Sequence, residues 1–468
     1  YLMKKIIYYL ASIAIVILVS IILAEIILQV IPIIYRTLPN LKNDKQYIYI
    51  LGESSAWGDP YGSKISYSKI LKYVIGNRIN NKQIELILLA EPGCKLSHQY
   101  FKYYLYKYIH PFKRGIVLLY IGTNDWANRN ENHVLNCNLN IVSLFYYYLK
   151  KDKNIFNFIH GYERILLLSK KFGDDIYMST IAGNYSGYVP TECISLEKNM
   201  IFKNNINKID KLILSKDYHI AMKKCKELLN ENNDQSQIWY RIGKIYEKQN
   251  NNYYAMQSYL NAIEYGRDSR PTRYQNEVIK KLAQKYNIPI TDTFDKLNNS
   301  GEIIGYNFFM DIVHPSIRTN IIIAEGFIEL LMNNYKIKIF HKDLTEDKIK
   351  KILHFNDRDV FDMYMLVLTE MFSWGSYINV NEIAMRYKID IIEKHIQNLK
   401  LLDAYNKNIA GLFIEICELF TEYIKGNLNE KNKKILKNKI DMFIKYCPKN
   451  ITYYESFSNL QKIKYIVN

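Results

Sequence analysis

Hydrophobic positions along this chain fall into three regimes. The first is a run over residues 6–24, 19 positions without a charged side chain, after which Glu25 alone interrupts an apolar stretch reaching Tyr35. At about 1.5 Å per residue, a helix of that length covers the roughly 30 Å hydrocarbon core of a bilayer. Lys4 and Lys5 stand just before the run, on the side expected to stay cytoplasmic. The pattern predicts an uncleaved transmembrane anchor over residues 1–36 in the cell membrane, with the remainder of the chain extracytoplasmic. A cleaved signal peptide and a buried core helix are the alternatives, although Glu25-Ile26-Ile27-Leu28 offers no clear small-x-small cleavage site.

The second regime begins at Gln46. Short apolar runs rich in β-branched residues, at 47–51, 84–89 and 115–121, alternate with helical spacing over 66–80 and 97–109. Alternation of this kind predicts parallel strands joined by crossover helices, an α/β sheet. The rhythm stops near Trp126 and resumes with a helix over 274–285, a strand over 288–291 and a final helix after Pro315. One discontinuous α/β domain, residues 45–126 and 271–335, is therefore expected to carry an insertion between its halves. Residues 127–200 are expected to shape a substrate pocket. The third regime, residues 342–468, is helical throughout, with helical apolar spacing in 360–372, 383–399 and 409–424, and shows no catalytic pattern.

Residues 201–270 hold a second spacing. Trp239-x2-Ile242-Gly243-x2-Tyr246 is followed by Ala255-x3-Tyr259 and Ala262, and Ala221 stands 34 residues before Ala255. Small Ala and Gly positions let two helices cross closely, while Trp and Tyr fill the gaps between hairpins. The segment resembles one full tetratricopeptide repeat and a partial one, since the earlier copy lacks the Trp and Gly and no Pro stands near Arg267. The resemblance implies a protein-docking surface; simple structural packing is the alternative. An ordinary helical hairpin with a core Trp would read the same way.

Composition changes the picture little. With 49% hydrophobic, 14% aromatic and 23% charged residues, the 468-residue chain can fill more than one core, which excludes a disordered or collagenous protein. The net charge of +17, from 63 Lys and Arg against 46 Asp and Glu, would suit an anionic partner. The 42 Tyr and the abundant Lys, Ile and Asn instead point to one pervasive bias, and no nucleic-acid partner is expected. The basic run 431–439 reads as a solvated helix face. Six cysteines lie scattered without CxxC pairs, so neither a zinc site nor a disulfide framework can be read. Cys137 with Cys193 is no more than a guess.

The candidate chemistry follows the predicted strands. The first runs into Gly52-Glu53-Ser54-Ser55-Ala56-Trp57-Gly58, which can hold a hydroxyl at the carboxyl edge of a parallel sheet. It is not the Gly-x-Ser-x-Gly elbow, because Ala56 stands where the second Gly belongs. After the second strand comes Glu91-Pro92-Gly93-Cys94, by itself a turn, and after the third comes Gly122-Thr123-Asn124-Asp125. Asp311-Ile312-Val313-His314-Pro315 precedes the last helix. An Asp three residues before a His can orient the imidazole through one ring nitrogen and leave the other free to take a proton.

Together these segments resemble the four blocks of the SGNH hydrolases, the GDSL-type esterases and lipases, over residues 45–126 and 271–335. The resemblance implies a flavodoxin-like three-layer α/β/α sandwich around the parallel sheet. It implies Ser54 as nucleophile, His314 as base and Asp311 as its orienter, with the Ser54 and Gly93 backbone N–H groups and the Asn124 amide as oxyanion hole. Two positions depart from the family. Glu53 replaces the usual Asp, a change taken as tolerated because that carboxylate does not orient His314. Leu88 stands where many members have Asn, which leaves support of the oxyanion loop open. Together with the expected anchor, the resemblance implies a membrane-anchored serine esterase acting on a lipid or an acylated cell-surface glycan, with no cofactor and no metal. An O-acyltransferase or deacetylase of a surface polysaccharide would use the same residues, and a degenerate hydrolase serving as a tetratricopeptide scaffold is the reading from another class.

Overall fold

The computed structural model describes residues 45–125, 158–190, 199–231, 236–266, 269–378, 386–402, 407–446 and 451–467, with scattered positions between 9 and 30. Most of the expected anchor lies outside the described residues, as do Cys137 and Cys193. Among the described residues no helix is long and apolar enough to cross a membrane.

Six strands form one mixed, mostly parallel sheet in the order β2-β3-β1-β4-β5-β6. They are β1 Lys45–Gly52, β2 Arg78–Ile79, β3 Lys82–Leu88, β4 Gly115–Tyr120, β5 Asp175–Ser179 and β6 Ile290–Thr291. Among the described strands only the two-residue β2 pairs antiparallel, on β3. β1 and β4 are buried almost without a break, so their sequences read as apolar runs rather than alternations. Both faces carry helices. Tyr49 meets Tyr103 and Tyr106 of the helix Leu96–Ile109 edge-on, with ring centroids 5.8 Å apart in each case. Tyr49 sits opposite Val117, so Tyr120 points to the other face. There it meets Tyr67 of the helix Tyr67–Val74, which stacks on Phe327 of the helix Ile317–Met332.

The α/β rhythm does not stop near Trp126 as the sequence pattern suggested. The helix Phe158–Phe172 and β5 fall within 127–200, and β5 pairs with both β4 and β6. That part of the stretch belongs to the sheet. Its apolar run, Ile176-Tyr177-Met178, is too short to stand out in a chain this rich in Ile and Tyr.

Four helices follow: Asn199–Leu214, Tyr218–Glu231, Ser236–Lys248 and Asn252–Tyr265. The last two form an antiparallel hairpin, with Tyr240 against Tyr259 and Tyr246 against Tyr254, both at 5.4 Å between centroids. Gly243 lets them approach: a Cβ there would come within 2.6 Å of the Tyr259 ring. Beyond residue 342 the helices Asp357–Ile378, Ile389–Lys400, Lys407–Lys425, Glu430–Tyr446 and Ile451–Ile466 share a second core, which Tyr188, Ile312 and Val313 join. In the basic stretch, Leu436 and Ile440 face that core while Lys431 and Lys434 are exposed.

A buried ion pair ties the helical parts together. Arg241 donates to both carboxylate oxygens of Asp210 at 2.8–2.9 Å, and the Tyr387 hydroxyl donates to the same carboxylate at 2.8 Å. Removing one member of such a pair strands the other charge away from water, typically at about 3–5 kcal/mol. Asp210→Ala should lower the urea midpoint by a corresponding amount. An unchanged midpoint would show that Arg241 recovers hydration by itself.

Candidate active site

Ser54 opens a one-turn helix, Ser54–Trp57, directly after β1. Gly52 makes the turn possible, because a Cβ there would lie 2.3 Å from Ala56 Cβ and 2.5 Å from the Tyr120 carbonyl oxygen. Ser54 Oγ and His314 Nε2 share a hydrogen bond of 2.7 Å across 260 residues of chain, in which the hydroxyl donates when the imidazole is neutral. His314 Nδ1–H donates to Asp311 Oδ2 at 2.6 Å, and the backbone N–H groups of Val313 and His314 donate to Asp311 Oδ1 at 3.1 and 2.9 Å. Serine, imidazole and carboxylate thus form one hydrogen-bonded row.

The electrostatics of the row follow from its burial. For Asp311, burial opposes ionisation, but the His314 charge and hydrogen bond and two backbone donors hold the carboxyl below its usual range. For His314, burial opposes the imidazolium. The Asp311 carboxylate outweighs it, with smaller help from Asp59 and Glu370, and raises His314 to about 10.

Neighbouring groups position each end of the row. The Ser55 hydroxyl donates to the Val313 carbonyl at 3.1 Å, clamping the serine turn onto the histidine loop. The fully buried Asn184, after β5, donates its side-chain amide to the Asp311 carbonyl at 3.0 Å and its backbone N–H to the Ile312 carbonyl at 2.9 Å. Beyond the loop, Ser316 caps the helix Ile317–Met332.

Glu53 has a definite task. Its buried carboxylate accepts from the backbone N–H groups of Gly122, Thr123 and Asn124 at 3.0–3.1 Å and from the Thr123 hydroxyl. Burial pushes this carboxyl up, and the four donors pull it back part of the way. It therefore binds the serine turn to the loop after β4. Asn124 in that loop donates its side-chain amide to the Cys94 carbonyl at 3.0 Å, which places it beside the turn containing Gly93. Gly93 itself adopts φ +68°, a conformation that suits glycine.

Leu88, the other departure, is 39% exposed at the end of β3, where it pairs with Ile50 of β1. The support comes from Gln99, which is fully buried. Its amide donates to the Leu89 carbonyl at 3.1 Å and to Cys94 Sγ at 3.0 Å, and its oxygen accepts from the Gly52 N–H at 3.2 Å. A polar residue on the apolar face marked by Leu96 and Tyr103 was the available signal. Asp125 accepts from the Leu96 N–H at 2.9 Å and so anchors the start of the same helix.

No family model matches the chain, and no curated protein matches it. Among solved structures, the acetyl xylan esterase AlAXEase is 14% identical, covering 61% of this chain and 99% of that one, with a TM-score of 0.31. Axe2, an acetylxylan esterase from Geobacillus stearothermophilus, is 12% identical, covering 62% and 95%, with a TM-score of 0.30. At these values neither likeness carries an argument.

Glu53→Ala should leave the Gly122–Asn124 donors without their buried acceptor, at about 1–3 kcal/mol for each donor that water does not reach. Thermal unfolding should show a loss of several degrees, and Glu53→Gln a smaller one because its carbonyl still accepts. Equal losses in the two variants would assign the effect to packing alone.

Proposed function

We propose that this chain is a serine ester hydrolase of the SGNH type, working by acyl transfer through Ser54, His314 and Asp311. The observation that carries the reading is the row itself: a serine hydroxyl 2.7 Å from a histidine whose other nitrogen is 2.6 Å from a buried carboxylate. Supporting it, the two residues beside Ser54, Glu53 and Ser55, bind the loops carrying Asn124 and His314.

In the reaction, Ser54 Oγ attacks the ester carbonyl carbon while His314 Nε2 takes the hydroxyl proton. The carbonyl π pair moves onto oxygen, where the Ser54 and Gly93 N–H groups and the Asn124 amide receive it. When the tetrahedral intermediate collapses, the ester C–O bond breaks and His314 returns the proton to the leaving alcohol. Water repeats the sequence in reverse and releases the acid. Asp311 keeps Nδ1 protonated and the imidazolium stabilised throughout. The substrate is an acyl ester of a lipid or a cell-surface glycan, and residues 1–36 hold the enzyme at the membrane with its site outside the cytoplasm. The hairpin Ser236–Lys248 and Asn252–Tyr265, with Gly243 under Tyr259, supports reading residues 201–270 as a tetratricopeptide-like docking module.

A fluorophosphonate should label Ser54 in the folded protein, and Ser54→Ala should abolish the label. Label on another residue, or none at any pH, overturns the reading. Because the base must be neutral to accept a proton and His314 is raised, the labelling rate should climb with pH towards about 10. A rate already at its plateau at pH 6 would contradict this. Asn124→Ala should lower kcat on a p-nitrophenyl ester by about 10²–10³ with little change in KM, as loss of one oxyanion donor does.

A further inference from the structure

The helical C-terminal region showed no catalytic pattern in its sequence, yet it reaches the candidate site. Phe361, Met365, Leu368 and Phe372, spaced to share one face of the helix Asp357–Ile378, lie in the same buried cluster as Ile312 and Val313 of the histidine loop and Tyr188. Phe361 and Phe372 on that face meet Phe413 and Phe420 of the helix Lys407–Lys425, and Glu370, about half a turn round the helix from them, lies beside His314 instead. One carboxylate oxygen of Glu370, a ring nitrogen of His314 and a carboxylate oxygen of Asp311 all lie within 4.8 Å of one another.

We propose that Glu370 is a positioning residue of the Ser54–His314–Asp311 row, a second carboxylate that holds the imidazole in its protonated state and so sets the pH at which Ser54 becomes activated. The proposal rests on the hydrolase reading above. It gives the C-terminal helices a role in the chemistry without contact with substrate.

The charges around the pair decide the sign. His314 faces Asp311 from its own loop, Asp59 from the segment after the serine turn, and Glu370 from the C-terminal helix; all three favour the imidazolium, against its burial. Glu370 in turn faces Asp311 and the hydroxyls of Tyr188 and Tyr306. Lys388 is a cation that Glu370 also interacts with. It is buried, with its ammonium 3.7 Å from the Tyr188 ring centroid and no hydrogen-bond acceptor among the described residues. Burial pulls Lys388 well below its usual value, Glu370 opposes that, and Arg270 and Lys244 add to it. Since only neutral imidazole can take the serine proton, Glu370 delays activation to higher pH.

The test uses the full chain and the fluorophosphonate probe, with the Ser54 labelling rate measured against pH for wild type, E370Q and E370D. In E370Q the acid limb should move down by about one pH unit, which is about tenfold faster labelling at a pH on the wild-type limb. E370D should return the limb towards its wild-type place. A midpoint unchanged in E370Q overturns the proposal, even where the plateau falls, because a structural role alone lowers amplitude without moving the limb. Thermal melts of both variants establish that folded protein is compared. The His314 C2-proton titration by NMR reads the same coupling without reaction. If wild type is never labelled yet that titration moves down in E370Q, the hydrolase reading fails while the Glu370–His314 coupling stands. Labelling abolished by EDTA and restored by Zn²⁺ would overturn the proposal by assigning the three side chains to a cation.

Discussion

The buried Glu53 carboxylate joins the ends of the two central strands. It leaves β1 one residue before Ser54 and collects the backbone donors of the loop following β4. A carboxylate this deep is costly unless its oxygens are fully used, and here four donors converge on it. The serine turn and the Asn124 loop therefore cannot move independently. The Cys94 turn joins the same unit, because Asn124 holds its carbonyl from one side and Gln99 holds Cys94 and Gly52 from the other. Everything proposed for the oxyanion depends on these three loops keeping one geometry before substrate arrives.

The histidine loop is positioned by different means. Ser55 and Asn184 hold its carbonyls, and Ile312 and Val313 are buried in one cluster with the C-terminal helices. Two such clamps come from the sheet and one from a region that the sequence left without a role. The arrangement couples the far third of the chain to the candidate site through packing, with Glu370 as its charged tip. Asp210, Arg241 and Tyr387 extend the coupling into the helices that precede the last crossover.

Several parts of this arrangement were legible in advance. Ser54, Gly93 and Asn124 could be named as candidates because each follows an apolar run of the α/β pattern, where a parallel sheet presents its carboxyl edge, and Asp311 with His314 by their three-residue spacing before the last helix. The helix Arg273–Tyr286 was expected over 274–285, and the structure adds the Thr272 capping box at its start. Other parts were not legible. β5 is five residues long and owes its strand character to β4 and β6 on either side. Gln99 and Asn184 bind mainly main-chain groups of distant loops, and no side-chain pattern advertises such partners.

Local chemistry thus determined which residues could act: a serine between glycines after a buried strand, an amide after another, an Asp three residues before a His. Those are properties of neighbours in the chain, set by periodicity and by turn conformation. The tertiary structure decided which of them meet, that Glu53 binds backbone rather than His314, and that Glu370 approaches the imidazole from the C-terminal helices. Such contacts join residues tens to hundreds of positions apart. Only closure of the sheet and packing of the helices upon it bring those groups within a few ångströms, where burial makes each charge count.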